Sequence, residues 1–151
     1  MKSERYIVYF ISSTKKKMVK FIESQIREKE FEGLIPSHGN ILTNLYDNQD
    51  KMTMKEIAQR IGRDKSTVTA LVNKLVKLGY LTKVNSEKDH RTVYVELTEK
   101  GLRMESKYRK ISEEVVYRAY NEFTQEEVDE LLRLLKKLNN NFDIKEENKI
   151  V

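Results

Sequence analysis

A chain of 151 residues that is 38% hydrophobic and 35% charged, with five Gly and one Pro, has the balance of a helix-rich soluble fold and no room for a second independent core. Cysteine is absent, which excludes disulfides and thiol-based redox sensing; no run of about eighteen apolar residues offers a membrane span, and residues 6–13 are too few and too soon followed by Lys15-Lys16-Lys17 for a secretory signal, so the cytoplasm is the expected location. The net charge of +5 is unevenly spread: residues 51–93 carry ten Lys/Arg against four Asp/Glu, and Lys65 to Lys83 holds no acidic residue, the footprint of a surface that meets polyanionic phosphate or else of a basic face with no partner.

In chain order, Ile7, Ile11, Met18, Ile22 and Ile26 fall on one stripe of a helix predicted from Glu4 to about Glu30. Tyr6, Tyr9, Phe10 and Phe21 widen that stripe beyond what one small core needs, and a second copy of the chain is the simplest supplier of the missing cover. Gly33 and Pro36 punctuate the end. Ser37 is a candidate cap for a second helix to about Asp47, with Ile41, Leu42 and Leu45 inward, and Asn48-Gln49-Asp50 reads as a loop.

Thr53-Met54-Lys55-Glu56 has the form of a capping box and starts a short helix that buries Ile57, Ala58 and Ile61 and stops at Gly62. Asp64 caps a fourth helix, Lys65 to Leu78, whose apolar stripe is Val68, Leu71, Val72, Leu75 and Leu78. Two helices joined by a short Gly-containing turn form the helix-turn-helix pattern. Strands follow at Tyr80 to Val84 and Thr92 to Thr98, with a polar hairpin tip at Asn85 to Arg91. One long helix is predicted from Thr98 to roughly Glu122. A second capping box, Thr124 to Glu127, opens a last helix bearing Val128, Leu131, Leu132, Leu135 and Leu138, which ends at Asn139-Asn140-Asn141. The tail from Asp143 to Val151 reads as a loosely held charged segment, with Phe142, Ile144, Ile150 and Val151 able to clip onto a partner subunit. The predicted class is mainly α with a small β-hairpin wing: a winged helix-turn-helix with long N- and C-terminal dimerisation helices.

The polar side of the fourth helix is built from Ser66 and from Ala70, Asn73 and Lys77, which fall within roughly 40° of Ser66, flanked by Thr69 on one side and Thr67 and Lys74 on the other. Ser, Thr and Asn disfavour helix by a few tenths of a kcal/mol each, roughly, so helix stability did not select them. Short polar side chains let a helix backbone approach the floor of the DNA major groove. There Ser and Thr bond to base edges, Asn pairs with adenine, and Ala and the Thr methyl touch thymine. Lys65, Lys74 and Lys77 would sit near phosphates at the groove edges. A helix buried on two sides is the competing reading, and the three lysines oppose it.

At the hairpin tip, Arg91 is placed to enter a minor groove, Asp89 to hold its guanidinium by a bidentate pair, and Lys88 and His90 to meet phosphates. An ordinary surface hairpin with an incidental Asp/Arg pair is the alternative. His38 and His90 are the only histidines and lie far apart, and no Gly-rich phosphate loop appears. Neither catalysis, a metal site nor a cofactor is therefore expected. A winged-helix module that binds another protein stays open as a second reading.

Ser66-Thr67-Val68-Thr69, Leu75, Leu78-Gly79-Tyr80-Leu81, Asp89-His90-Arg91 and Leu97-Thr98-Glu99-Lys100-Gly101, with Ile35-Pro36-Ser37-His38 and Ile41-Leu42 upstream, together resemble the MarR family of bacterial and archaeal regulators. The resemblance covers about residues 35–101 by motif and the flanking helices by layout. It implies a homodimer built from residues 1–34 and 99–151, a winged DNA-binding lobe at 35–98, and repression often relieved by small aromatic or phenolic ligands. Base reading then falls on Ser66, Thr67, Thr69 and Ala70, with Asn73 and Lys74 beside them, and the minor-groove role falls on Arg91. The effector cleft of relatives would here involve Tyr6, Tyr9, Phe10, His38, Thr43 and Tyr46; aromatic residues at helical spacing are also ordinary core or interface.

Overall fold

The computed structural model describes residues 6–29, 31, 33–48 and 51–143. The chain forms two compact units, Met1–Val115 and Val116–Val151. The first contains α1 (Ile7–Glu28), α2 (Pro36–Asp47), β1 (Lys51–Thr53), α3 (Met54–Ile61), α4 (Lys65–Lys77), β2 (Leu81–Asn85), β3 (Val93–Leu97), α5 (Glu99–Arg103) and most of α6 (Glu105–Ala119). The second holds the end of α6 and α7 (Gln125–Asn140). Among the described residues no helix is long and apolar enough to cross a membrane.

The core of the first unit gathers Ile41, Leu42 and Leu45 of α2, Ile57 of α3, Val68, Val72 and Leu75 of α4, and Met52, Leu81 and Val95 of the sheet. Ile26 and Phe31 from the α1 end and Tyr108 and Ile111 of α6 belong to the same cluster, so the packing runs across the expected boundaries at residues 34/35 and 98/99. Of the predicted α1 stripe, only Ile26 is buried and Ile22 half-buried, whereas Ile7, Ile11 and Met18 stay exposed beside Tyr6, Tyr9 and Phe10. That is an apolar surface on which water is poorly accommodated.

Three local features differ from expectation. Ser37 does not cap α2: Ile35 is the N-cap residue, Pro36 occupies the first turn, and the Ile35 N–H donates to Nδ1 of His38 at 3.0 Å. The imidazole thus does what a Glu does in a capping box. A third strand, β1, pairs antiparallel with β3 in the order β1-β3-β2, placing Met52 opposite Val95 and Lys51 opposite Glu96. Lys51 ties this edge by an ion pair to Glu96 at 3.2 Å and lies 4.3 Å from the Tyr94 ring centroid.

The predicted helix from Thr98 to Glu122 is two helices, α5 and α6, with a turn at Met104. The Gly101 carbonyl, which would accept from the N–H four residues on in a continuous helix, instead accepts from the Met104 N–H at 3.2 Å and from the Tyr46 hydroxyl at 2.8 Å. That shared acceptor tightens the turn. A Cβ at Gly101 would collide with the Tyr80 carbonyl oxygen, which is why only glycine fits where α5 crosses the end of α4.

In the second unit α7 opens on the predicted capping box: the Glu127 N–H donates to Thr124 Oγ1 at 3.2 Å and the Thr124 N–H to Glu127 Oε2 at 2.9 Å. None of its residues is buried, and Leu132, Leu134 and Leu135 are exposed. Phe142 is exposed as well; Ile144, Ile150 and Val151 lie outside the described residues.

Candidate nucleic-acid interface

Helix α3 is held by both halves of its capping box, Glu56 N–H to Thr53 Oγ1 at 3.2 Å and Thr53 N–H to Glu56 Oε2 at 2.7 Å. It ends at Gly62, whose φ of 64° is left-handed and costs glycine little. This terminus turns the chain into Asp64. The Asp64 carboxylate accepts from the Ser66 hydroxyl at 2.6 Å, the Thr67 N–H at 2.9 Å and the Thr67 hydroxyl at 2.8 Å. Those bonds, the Ser66 hydroxyl foremost, hold its pKa far below the usual carboxylate range. The first turn of α4 is therefore fixed by a group that stays ionised.

With Val68, Leu71, Val72 and Leu75 buried, the opposite side of α4 faces outward, and Lys65, Ser66, Ala70, Asn73, Lys74 and Lys77 are all exposed. Spacings of four, three and four put Ser66, Ala70, Asn73 and Lys77 on one stripe. Thr67 and Thr69 flank it half-buried, and the Thr69 hydroxyl donates to the Lys65 carbonyl at 2.8 Å. Each hydroxyl has its proton committed but keeps lone pairs to accept from a base amino group. Asn73 is also engaged: Lys83 Nζ donates to its Oδ1 at 2.7 Å. Lys83 was missed in the sequence reading, although its place inside the acid-free segment was visible.

Lys74 leans away from that stripe. A Cβ at Gly33 would lie 3.7 Å from its Nζ, and its charge, after burial, is the second cause that lowers the pKa of His38. Its ammonium therefore sits toward Gly33 and the start of α2.

The hairpin tip is ordered by side chains acting on backbone. Ser86 Oγ accepts from the Lys88 and Asp89 N–H groups at 3.3 Å each. The Ser86 N–H donates to the Thr92 carbonyl at 2.8 Å, and the Thr92 N–H to the Asp89 carbonyl at 2.9 Å. The predicted Asp89–Arg91 guanidinium pair is not formed. Asp89 Oδ1 accepts from the Arg91 backbone N–H at 3.0 Å and Oδ2 from the Thr92 hydroxyl at 3.0 Å, because both donors sit on or next to the loop backbone, whereas the guanidinium ends a long side chain. Asp89 shapes the loop that carries Arg91 and leaves the Arg91 side chain outward. Lys88, His90 and Arg91 are exposed together at this tip.

The six residues suggested for an effector cleft are not brought together within one chain. Tyr6, Tyr9 and Phe10 stand exposed on α1, while His38 and Tyr46 are buried in α2 and Thr43 is half-buried. A cleft of about 270 Å³ lies instead between the α1 end and the α2 start, lined by Glu23, Ile26, Arg27, Phe31, Gly33, Leu34 and Ile35.

Residues 32–92 match the sequence model described as the MarR family. The transcriptional regulator SarZ of Staphylococcus haemolyticus is 33% identical over 100 residues, a match that covers 64% of this chain and 65% of that protein. SarZ of Staphylococcus aureus is 28% identical over 139 residues, covering 90% and 87%. Among solved structures, a MarR transcriptional regulator from Methanosarcina mazei superposes with a TM-score of 0.76 at 26% identity, covering 91% of this chain and 96% of that one. An organohalide-sensing transcriptional regulator in its 2,4-dichlorophenol-bound form gives 0.80 at 25% identity, covering 94% and 82%. The helix-turn-helix with its three-stranded wing, the outward polar stripe of α4 and these likenesses agree: residues 32–92 match the MarR family, and the chain is similar in sequence and fold to its winged-helix transcription regulators.

Proposed function

We propose that two copies of this chain pair through residues 1–34 and 99–151 and bind an inverted-repeat operator as a repressor in the cytoplasm. Each α4 enters a major groove, the two half-sites lie about one helical turn apart, and each Arg91 reaches a flanking minor groove. The exposed apolar surface of α1, with Val8 at 72% and Tyr9 at 64%, supports the pairing. The observation that carries the reading is the outward stripe Ser66, Ala70, Asn73 and Lys77 in a segment free of acidic residues. Short side chains permit close approach to base edges, and the surrounding lysines draw in phosphate.

A small aromatic or phenolic ligand releases the operator by favouring a dimer whose two α4 helices are wrongly spaced, which requires different affinity for the two arrangements. A dichlorophenol bound to one structural relative supports that class of ligand. Selection of bound duplexes from a random pool at physiological salt tests the reading. Recovery of a palindrome with half-sites about 10 base pairs apart supports it. No enrichment over random sequence, or a match to a single unpaired half-site, removes it, and the former leaves a winged-helix module that binds another protein.

A further inference from the structure

We propose that Lys83 is a specificity-determining residue: by occupying the carboxamide oxygen of Asn73 it makes the pair a donor-only surface that selects guanine over adenine. The inference rests on the reading of α4 as the helix that enters the major groove.

Asn73 is exposed on the stripe that faces outward from α4. Its Oδ1 accepts from Lys83 Nζ at 2.7 Å, a bond that joins β2 to α4 across ten residues of chain. Lys83 lies two residues after the buried Leu81 and so shares its face of the strand, the one that packs toward α4. Its stem thus starts beside the helix.

An unrestrained Asn reads adenine with both ends of its carboxamide: Nδ2 donates to N7 while Oδ1 accepts from the N6 amino group. Here Oδ1 is already held by an ammonium in a charge-assisted bond, and the adjacent positive charge opposes a second donor. What remains outward is two N–H donors on Asn73 Nδ2 and two on Lys83 Nζ, since an ammonium has three and spends one. The guanine major-groove edge offers two acceptors side by side, N7 and O6, and no donor. The pair complements guanine and meets the adenine amino group with nothing to accept it. Asn73 alone would read the opposite purine, so Lys83 sets the polarity of the contact.

The test uses the full chain with wild type, Asn73→Ala, Lys83→Met and Lys83→Arg, each used to select duplexes from a random pool at one salt concentration. All substituted positions are exposed, and equal melting temperatures would confirm that the fold is intact. The base pair read by Asn73 is the one whose preference disappears in Asn73→Ala. The expected result is guanine there for wild type and for Lys83→Arg, and a shift of the guanine-to-adenine affinity ratio by about tenfold toward adenine in Lys83→Met, with other positions unchanged. The inference is overturned if wild type prefers adenine at that pair, or if Asn73→Ala alters no position. It is equally overturned if Lys83→Met weakens every sequence alike with its preferences intact, the behaviour of a phosphate contact. If wild type enriches no sequence, the reading of α4 itself fails, which separates that failure from this one.

Discussion

Tyr108 offers a perturbation whose direction runs against intuition. Its ring is 4% exposed and lies 4.6 Å from the Phe31 ring centroid, and its hydroxyl has no hydrogen-bond partner among the described residues. Burial pushes its phenol pKa well above the ordinary value, with Tyr46 and Tyr80 adding to the shift, so the group stays neutral at any working pH. A buried hydroxyl left unpaired costs about 1–3 kcal/mol, and removing it with little change of shape recovers most of that cost. Tyr108→Phe should therefore stabilise the chain by about 1–2 kcal/mol, a rise of roughly 2–8 °C in melting temperature for a chain of this size. Urea titration followed by circular dichroism reads the change as a shift of midpoint at constant slope. A loss of more than about 0.5 kcal/mol would refute the reasoning, because it would mean that the hydroxyl makes a bond worth more than its desolvation.

Three further outcomes follow from named contacts. Gly101→Ala would drive a methyl group into the Tyr80 carbonyl and should destabilise by about 1–3 kcal/mol; chemical denaturation measures it, and an unchanged midpoint contradicts the packing described. His38 is held neutral, its pKa lowered first by burial and then by Lys74. The unfolded chain therefore binds the proton more readily, so the stability present above the ordinary histidine pKa of 6.5 is lost as pH falls below it. Stability curves at pH 7.5 and 5.5 should diverge less for His38→Gln than for wild type; an equal or larger divergence would show that His38 is not the group responsible. Arg91→Ala should weaken operator binding about tenfold or more with the dimer intact in sedimentation, whereas dissociation or unfolding would make the residue structural.

Much of the fold was legible because its signals are local. The capping boxes at Thr53 and Thr124 join residues three apart, and the stop at Gly62 needs only a left-handed residue. The exposed stripe of α4 follows from the 3.6-residue period once Val68, Val72 and Leu75 are assigned inward. Three features that sequence reasoning did not find depend on contacts between residues distant in the chain. β1 is three residues long and exists through its pairing with β3. The turn at Met104 comes from the Tyr46 hydroxyl, 55 residues away, bonding to the Gly101 carbonyl. Lys83 reaches Asn73 only after the strand has folded back on the helix. Asp89 was misassigned for another reason: opposite charge two residues away suggests an ion pair, yet the backbone N–H is the nearer donor.

Ala70 provides the most direct test of whether the outward face of α4 meets DNA. It is exposed in the middle of that face, and Glu favours helix nearly as well as Ala, so Ala70→Glu leaves folding and pairing untouched. Against base edges and phosphates, however, the new carboxylate would be an unpaired like charge, which costs several kcal/mol. Fluorescence anisotropy with a selected operator duplex should show a loss of more than about a hundredfold in affinity, at unchanged melting temperature and mass. Full binding by Ala70→Glu would mean that this face of the helix never touches the duplex.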